Sequence, residues 1–146
     1  VNPQHRIPDG LLVIAGGGVG TLLRALAAAR WPDHAGHFPA TVLTINLLGA
    51  FILGWLLREL VLTGPDEGWR RELRLGVGTG VMGGFTTYSS FAVQTVSLLR
   101  SGLWALALGY LLASLAGGFL CCLAGTMTAD RHHRARRARS HREGTI

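Results

Sequence analysis

Four stretches of this chain carry almost no charge, and each is long enough to cross a bilayer. Residues 75–99 and 101–129 hold no charged side chain over 25 and 29 positions. Residues 38–57 are also uncharged, and residues 11–29 are interrupted only by Arg24. A hydrocarbon core about 30 Å thick is spanned by roughly 20 helical residues. A chain of 146 residues has no way to bury four such runs against itself in water. The pattern predicts four transmembrane helices, over about 10–31, 38–60, 73–99 and 102–127. Residues 1–129 then form one four-helix membrane subunit with no room for a soluble catalytic domain. Residues 130–146 form a basic tail, expected as disordered or as a helix extension in the headgroup layer.

The connections between the runs are short and rich in Gly and Pro. Trp31-Pro32-Asp33-His34-Ala35-Gly36-His37 joins the first two, and Arg100-Ser101-Gly102 joins the last two. Such links make sequence neighbours antiparallel, which is an up-down bundle. A cleaved signal peptide is the alternative for the first run. It lacks a basic leading region, because Asp9 offsets Arg6, and its apolar stretch continues past Arg24. Cys121 and Cys122 are adjacent in the fourth run. Neighbours on a helix point about 100° apart, so they read as small packing residues rather than a disulfide.

The net charge of +6 comes from 14 basic and 8 acidic residues. All the basic residues are arginine, and the tail from Asp130 onward holds six of them. This placement argues for topology rather than nucleic-acid binding. In a four-span bundle the termini and the second loop share one side, with eleven arginines against three on the other. The bias puts both termini in the cytoplasm. Without the tail the count falls to five against three, a weak preference.

Small residues recur every four positions at Gly76/Gly80/Gly84, at Gly109/Ala113/Gly117 and at Ala50/Gly54. That spacing lets membrane helices approach closely. The run Gly83-Gly84-Phe85-Thr86-Thr87-Tyr88-Ser89-Ser90-Phe91 adds hydroxyls and aromatic rings in the middle of the third span. Paired glycines weaken a helix, and carbonyls released at a membrane helix break suit a hard cation such as Na⁺. A continuous helix with Ser/Thr back-bonding is the alternative. Asn46 stands mid-span in the second helix, as interhelical glue or as a donor toward an anion. Tyr110 and Ser114 are i, i+4 and share a face of the fourth helix, with the same two readings. Arg24 must snorkel or find a partner.

The runs contain no acidic residue. This argues against a proton-coupled exporter, which commonly uses a membrane carboxylate. Enzyme-like signals fail as well. Gly16-Gly17-Gly18-Val19-Gly20 mimics a dinucleotide turn, but position 21 is Thr where that fingerprint needs glycine. Asp33, His34 and His37 share a flexible loop, which is weak support for a metal site, and His132 and His133 in the tail are equally unsupported.

Taken together, the motifs resemble the small bacterial fluoride channels of the Fluc (CrcB) family. The Gly16–Arg24 segment resembles that family's Gly-rich first helix, and Thr41-Val42-Leu43-Thr44-Ile45-Asn46-Leu47-Leu48-Gly49 resembles its Asn motif. Gly80 through Phe91 resembles its G-x-x-G-G-[F/L]-T-T-F-S-T-F signature. The resemblance implies an all-α fold of four transmembrane helices with a break in the third. It implies assembly as an antiparallel dual-topology dimer in the bacterial inner membrane. The expected activity is passive, fluoride-selective export that relieves fluoride toxicity, with no enzymatic step. By the same resemblance Asn46, Thr87, Tyr88, Phe91, Tyr110 and Ser114 line the fluoride pore. Carbonyls of Gly83 and Thr86 from both subunits hold a structural Na⁺ at the interface, and Arg24 is structural. Tyr88 departs from the family's Phe, which puts two phenylalanines in one pore in doubt. The expected partners are fluoride, membrane lipid and an oppositely oriented second subunit, not nucleic acid. The arginine bias favours a paralogous subunit, and the five-to-three count keeps a homodimer open.

Overall fold

A computed structural model describes the backbone of residues 8–143 and the side chains of residues 8–137. Arg6 and the side chains of Arg139 and Arg142, which enter the arginine count, lie outside it. The described residues fold into helices joined by short connections: α1 (Asp9–Arg30), α2 (Ala40–Thr63), α3 (Trp69–Leu73), a π-helical segment (Arg74–Val81), α4 (Met82–Phe85), α5 (Tyr88–Arg100) and α6 (Trp104–Glu143). These make four helices in space, because α3, the π segment and α4 run on into one another and α5 resumes after a break.

Among the described residues three helices are long and apolar enough to cross a membrane: Asp9–Arg30, Ala40–Thr63 and the Trp104–Arg137 part of α6. The third expected crossing is divided at Thr86 and Thr87, whose backbones are extended (ψ 157° and 120°). The surface is inverted relative to a water-soluble fold. Ile14, Val61, Leu115 and Phe119 are each about 70% exposed, an apolar exterior suited to lipid.

Two backbone-to-backbone seams organise the bundle. Along the first, α1 lies on the π segment and α4. A Cβ on Gly16 would overlap the Gly76 carbonyl, one on Gly20 the Val81 carbonyl, and one on Gly84 the Gly17 carbonyl. Along the second, α2 runs beside α6. Gly54 sits on the Cys122 backbone and Gly125 on the Phe51 and Trp55 backbones. The four-residue spacing therefore marks real seams, but not at every position. Gly109 faces open space, whereas Gly125 carries much of the α2–α6 approach. The α5–α6 hairpin turns at Gly102, whose φ of 73° favours glycine. Above that turn Leu98, Ala107 and Tyr110 form a fully buried cluster with Phe91 and Leu43 packed on it.

α6 continues without interruption into the basic tail. Its continuation docks on the end of α2, where Arg58 Nε donates to Asp130 Oδ1 at 2.8 Å. His132 Nδ1 lies 3.7 Å from Glu59 Oε1.

Candidate functional site

A helix break at membrane depth exposes backbone groups that water cannot satisfy, so each needs a partner inside the protein. In a continuous helix the Thr87 N–H would donate to Gly83. Here it donates to Asn46 Oδ1 at 2.8 Å, and Asn46 Nδ2 donates back to the Thr87 carbonyl at 3.1 Å. The amide thus brackets one residue as a neighbouring β-strand would. Gly49, one turn along α2, lies against the Thr86 methyl and leaves room for the break to approach. From α1, Arg24 Nε donates to the Gly84 carbonyl at 3.2 Å. Arg24 is thereby paired inside the bundle rather than only snorkelling.

The break also caps itself. Thr87 Oγ1 accepts the Ser90 N–H at 3.1 Å, the N-cap bond of α5. Thr86 Oγ1 donates back to the Met82 carbonyl at 2.9 Å. Among the described residues no hydrogen bond ends on the carbonyls of Gly83, Phe85 or Thr86.

Beside the break lies a groove of about 290 Å³ lined by Asn46, Thr86, Thr87, Tyr88, Phe91 and Ser114, with Leu115 at its edge. Asn46 spends one amide N–H on Thr87 and keeps the second. The Ser114 hydroxyl is buried and has no partner among the described residues. The Phe91 ring is set between Tyr88, at 6.0 Å, and Tyr110, at 5.3 Å between centroids. Tyr88 itself is 82% exposed. The groove therefore offers neutral donors and aromatic edges and no formal charge.

Tyr110 stands apart from its expected companions. It is fully buried, it does not line the groove, and its hydroxyl donates to Gln94 Oε1 at 3.0 Å. Its ring meets Phe38 edge-on at 5.7 Å. Gln94 Nε2 in turn donates to Asp33 Oδ2 at 3.0 Å. Asp33 closes the chain by accepting the N–H groups of Thr41 and Val42, at 2.9 and 3.2 Å, at the start of α2. A polar thread thus runs from the α2 N-terminus to the ring packed on Phe91. Gln94 and Asp33 are absent from the sequence reading of the site. From the sequence, Asp33 reads only as a loop metal ligand beside His34 and His37. Among the described residues no cluster of His, Cys, Asp and Glu is arranged to hold a metal.

A second groove, of about 650 Å³, opens on the same side of α2 and the broken helix. Asn46, Gly49, Leu53, Gly78, Gly83 and Thr86 are among its walls. Gly83 is exposed there, with nothing within 4 Å of where a Cβ would stand.

This architecture defines a polytopic α-helical membrane protein with a neutral polar site at a helix break. Its sequence relatives narrow the class. The family described as CrcB-like protein, Camphor Resistance (CrcB), matches residues 11–126, and the chain belongs to that family. It is 50% identical over 109 residues to fluoride-specific ion channel FluC 1 of Cutibacterium acnes, covering 75% of this chain and 76% of that one. It is 50% identical over 115 residues to FluC 2 of Leifsonia xyli subsp. xyli, covering 79% of each. With FluC 1 of Mycobacterium bovis it shares 38% identity over 130 residues, 88% of this chain and 96% of that one.

Proposed function

We propose that this protein is a subunit of a passive fluoride-selective channel of the bacterial inner membrane. The observation that carries the reading is the uncharged donor set at the break: the second Asn46 N–H, the unpartnered Ser114 hydroxyl and the Phe91 ring edge around one groove. Fluoride is small and strongly hydrated. A pore for it must replace water with donors that do not hold the ion, and neutral donors with positive ring edges do so more gently than arginines. Thr87 and Tyr88 complete the polar wall, and Tyr110 acts through Phe91 and Gln94. The gradient drives export, so no nucleotide or proton-coupling group takes part. HF that enters as a neutral acid dissociates in the cytoplasm, and the anion leaves through the pore. This relieves fluoride toxicity.

The working unit in this proposal is an antiparallel dual-topology dimer, with the larger groove against the second subunit. Support comes from the exposure of that groove, which one chain leaves open along α2 and the broken helix. The Gly83 and Thr86 carbonyls, which lack donors among the described residues, fit a hard cation by their all-oxygen chemistry. These residues would hold a structural Na⁺, which supplies charge to tie two broken helices together. The arginine bias places both termini of this subunit in the cytoplasm and favours an oppositely oriented paralogue. A homodimer is the other arrangement.

Proteoliposomes loaded with fluoride or chloride decide the activity. Fluoride efflux far above chloride efflux is expected, and equal or absent fluxes of both overturn the channel. Purifying the chain expressed alone decides the partner, because robust efflux from it excludes an obligatory paralogue.

A further inference from the structure

A third cavity, of about 400 Å³, lies on the outside of the bundle between α1 and α2. Its walls are Ala27, Trp31, Thr44, Ile45, Leu48 and Phe85, with Ala40 and Thr41 at one end. The two wall hydroxyls are already committed. Thr41 Oγ1 donates to the Trp31 carbonyl at 2.6 Å, and Thr44 Oγ1 donates to the Ala40 carbonyl at 2.8 Å. The cavity therefore presents hydrocarbon and suits a hydrocarbon occupant.

Its mouth has a different character. Trp31 caps the C-terminus of α1 and is 61% exposed. The Arg30 guanidinium stands over the Trp31 ring, 5.4 Å from its centroid. Arg30 has no carboxylate partner among the described residues. The nearby Asp33 is occupied by the α2 N-terminus and Gln94. An unpaired arginine stacked on a tryptophan that itself walls an apolar slot is complementary to a phosphate group with an acyl chain in that slot.

The position on α2 selects lipid over a second protein chain. At 100° per residue, Thr41, Thr44, Ile45 and Leu48 fall on the face roughly opposite Asn46, Gly49, Ala50 and Leu53. The latter face is the one given to the second subunit under the proposed function, and the inference rests on that assignment.

We infer that this slot is a binding site for one anionic phospholipid. Its phosphate lies on Arg30 and one acyl chain lies in the slot, ending on Phe85. Phe85 immediately precedes the helix break and is packed near Gly49. A chain seated there buttresses the outer side of the break, opposite the face turned to the second subunit.

Native mass spectrometry of the full-length protein, purified from vesicles of equal phosphatidylglycerol and phosphatidylcholine, tests this. The dimer is expected to retain phosphatidylglycerol about fivefold over phosphatidylcholine, the worth of one arginine beside an anionic headgroup. Arg30→Gln removes that preference and Arg30→Lys keeps it. Ala27→Phe fills the slot and lowers retention of both lipids. Leu48→Phe does the same from the other wall, should Ala27→Phe fail to fold. Equal retention of the two lipids by the wild type overturns the site, as does a preference unchanged in Arg30→Gln. Lipid carried by monomers and lost on dimerisation also overturns it, and would show that this slot is the subunit interface. A wild type that stays monomeric yet keeps its lipid preference supports the lipid site and rejects the dimer reading separately.

Discussion

Asn46 has two jobs in this structure, and one pair of substitutions separates them. Its amide accepts from the Thr87 N–H and donates to the Thr87 carbonyl, and its remaining N–H is left for the groove. Asn46→Ala removes everything. Two backbone groups at membrane depth then lack partners, at about 1–3 kcal/mol each, or about 2–6 kcal/mol together. Asn46→Asp is more informative. In its protonated form the acid keeps both polar ends of the amide. Its carbonyl can accept from Thr87 N–H and its O–H can donate to the Thr87 carbonyl, so the bracket survives. No donor remains for an anion. Thermal unfolding of the purified protein should place Asn46→Asp near the wild type and Asn46→Ala well below it. Fluoride efflux from proteoliposomes should fall in both. The fall in Asn46→Asp should be roughly 10- to 100-fold, the worth of one hydrogen bond to a charged partner. Wild-type flux in Asn46→Asp would refute a direct contact between Asn46 and the ion. Wild-type stability in Asn46→Ala would refute the bracket.

The α1 seam makes a sharp contrast between neighbouring glycines. Gly20→Ala drives a methyl into the Val81 carbonyl and should cost about 1–3 kcal/mol, whereas Gly18→Ala meets open space and should leave thermal stability unchanged or raise it by about 0.5–1 kcal/mol. Arg24→Gln weakens the bond to the Gly84 carbonyl from charged to neutral and should lower thermal stability by about 1 kcal/mol, with the loss absent in a Gly18→Ala control. In the second loop the hydrogen bond from Arg74 holds the Asp66 carboxyl below its ordinary value. A depressed carboxylate stabilises the fold above its unfolded pKa and loses that contribution as pH falls through the folded one. The stability gap between wild type and Asp66→Asn should therefore be present at neutral pH and close in acid below the ordinary carboxylate range. A gap that does not change with pH removes the ion pair as its cause.

Hydropathy locates a span because each residue contributes to it independently of the rest of the fold. That is why the three long apolar helices and the uncharged run of the third span are legible in the chain, whereas the break at Thr86 and Thr87 stays open there against a continuous helix. Contacts between spans are not independent in this way. Asn46 reads as glue or as an ion donor from its position alone. Its tie to Thr87, 41 residues away, exists only once α2 and the broken helix are packed. The glycine spacing marks the seam at Gly80 and Gly84 but equally marks Gly109, which faces nothing, and passes over Gly125. Asp33 carries no local signal of its role. Helix capping is normally sought at the residue before the first turn, which here is Pro39, and Asp33 reaches the α2 N-terminus from the preceding loop. Gln94 carries a fainter signal, as a lone amide three residues beyond Phe91 in an uncharged run. The end of α6 is a separate matter. Hydropathy marks where a span leaves the apolar layer, whereas a helix continues until a breaker, and none stands between Gly125 and Glu143.

The break is best understood as an account of backbone groups. Splitting a helix at Thr86 and Thr87 frees donors and carbonyls that lipid cannot satisfy. α2 answers both groups of Thr87 through Asn46, and α1 answers the Gly84 carbonyl through Arg24. The break itself answers the Ser90 N–H through Thr87 Oγ1. Among the described residues the carbonyls of Gly83, Phe85 and Thr86 are left over, and Gly83 is exposed on the groove that one chain leaves open. The fold thus spends a charged and an amide side chain from two other helices to stabilise a break that is still incomplete within one chain. That cost is reasonable if the remaining oxygens are completed from outside. A cation and a second subunit at the same face would do so, and the proposed pore groove shares Asn46, Thr86 and Thr87 with the break they would stabilise.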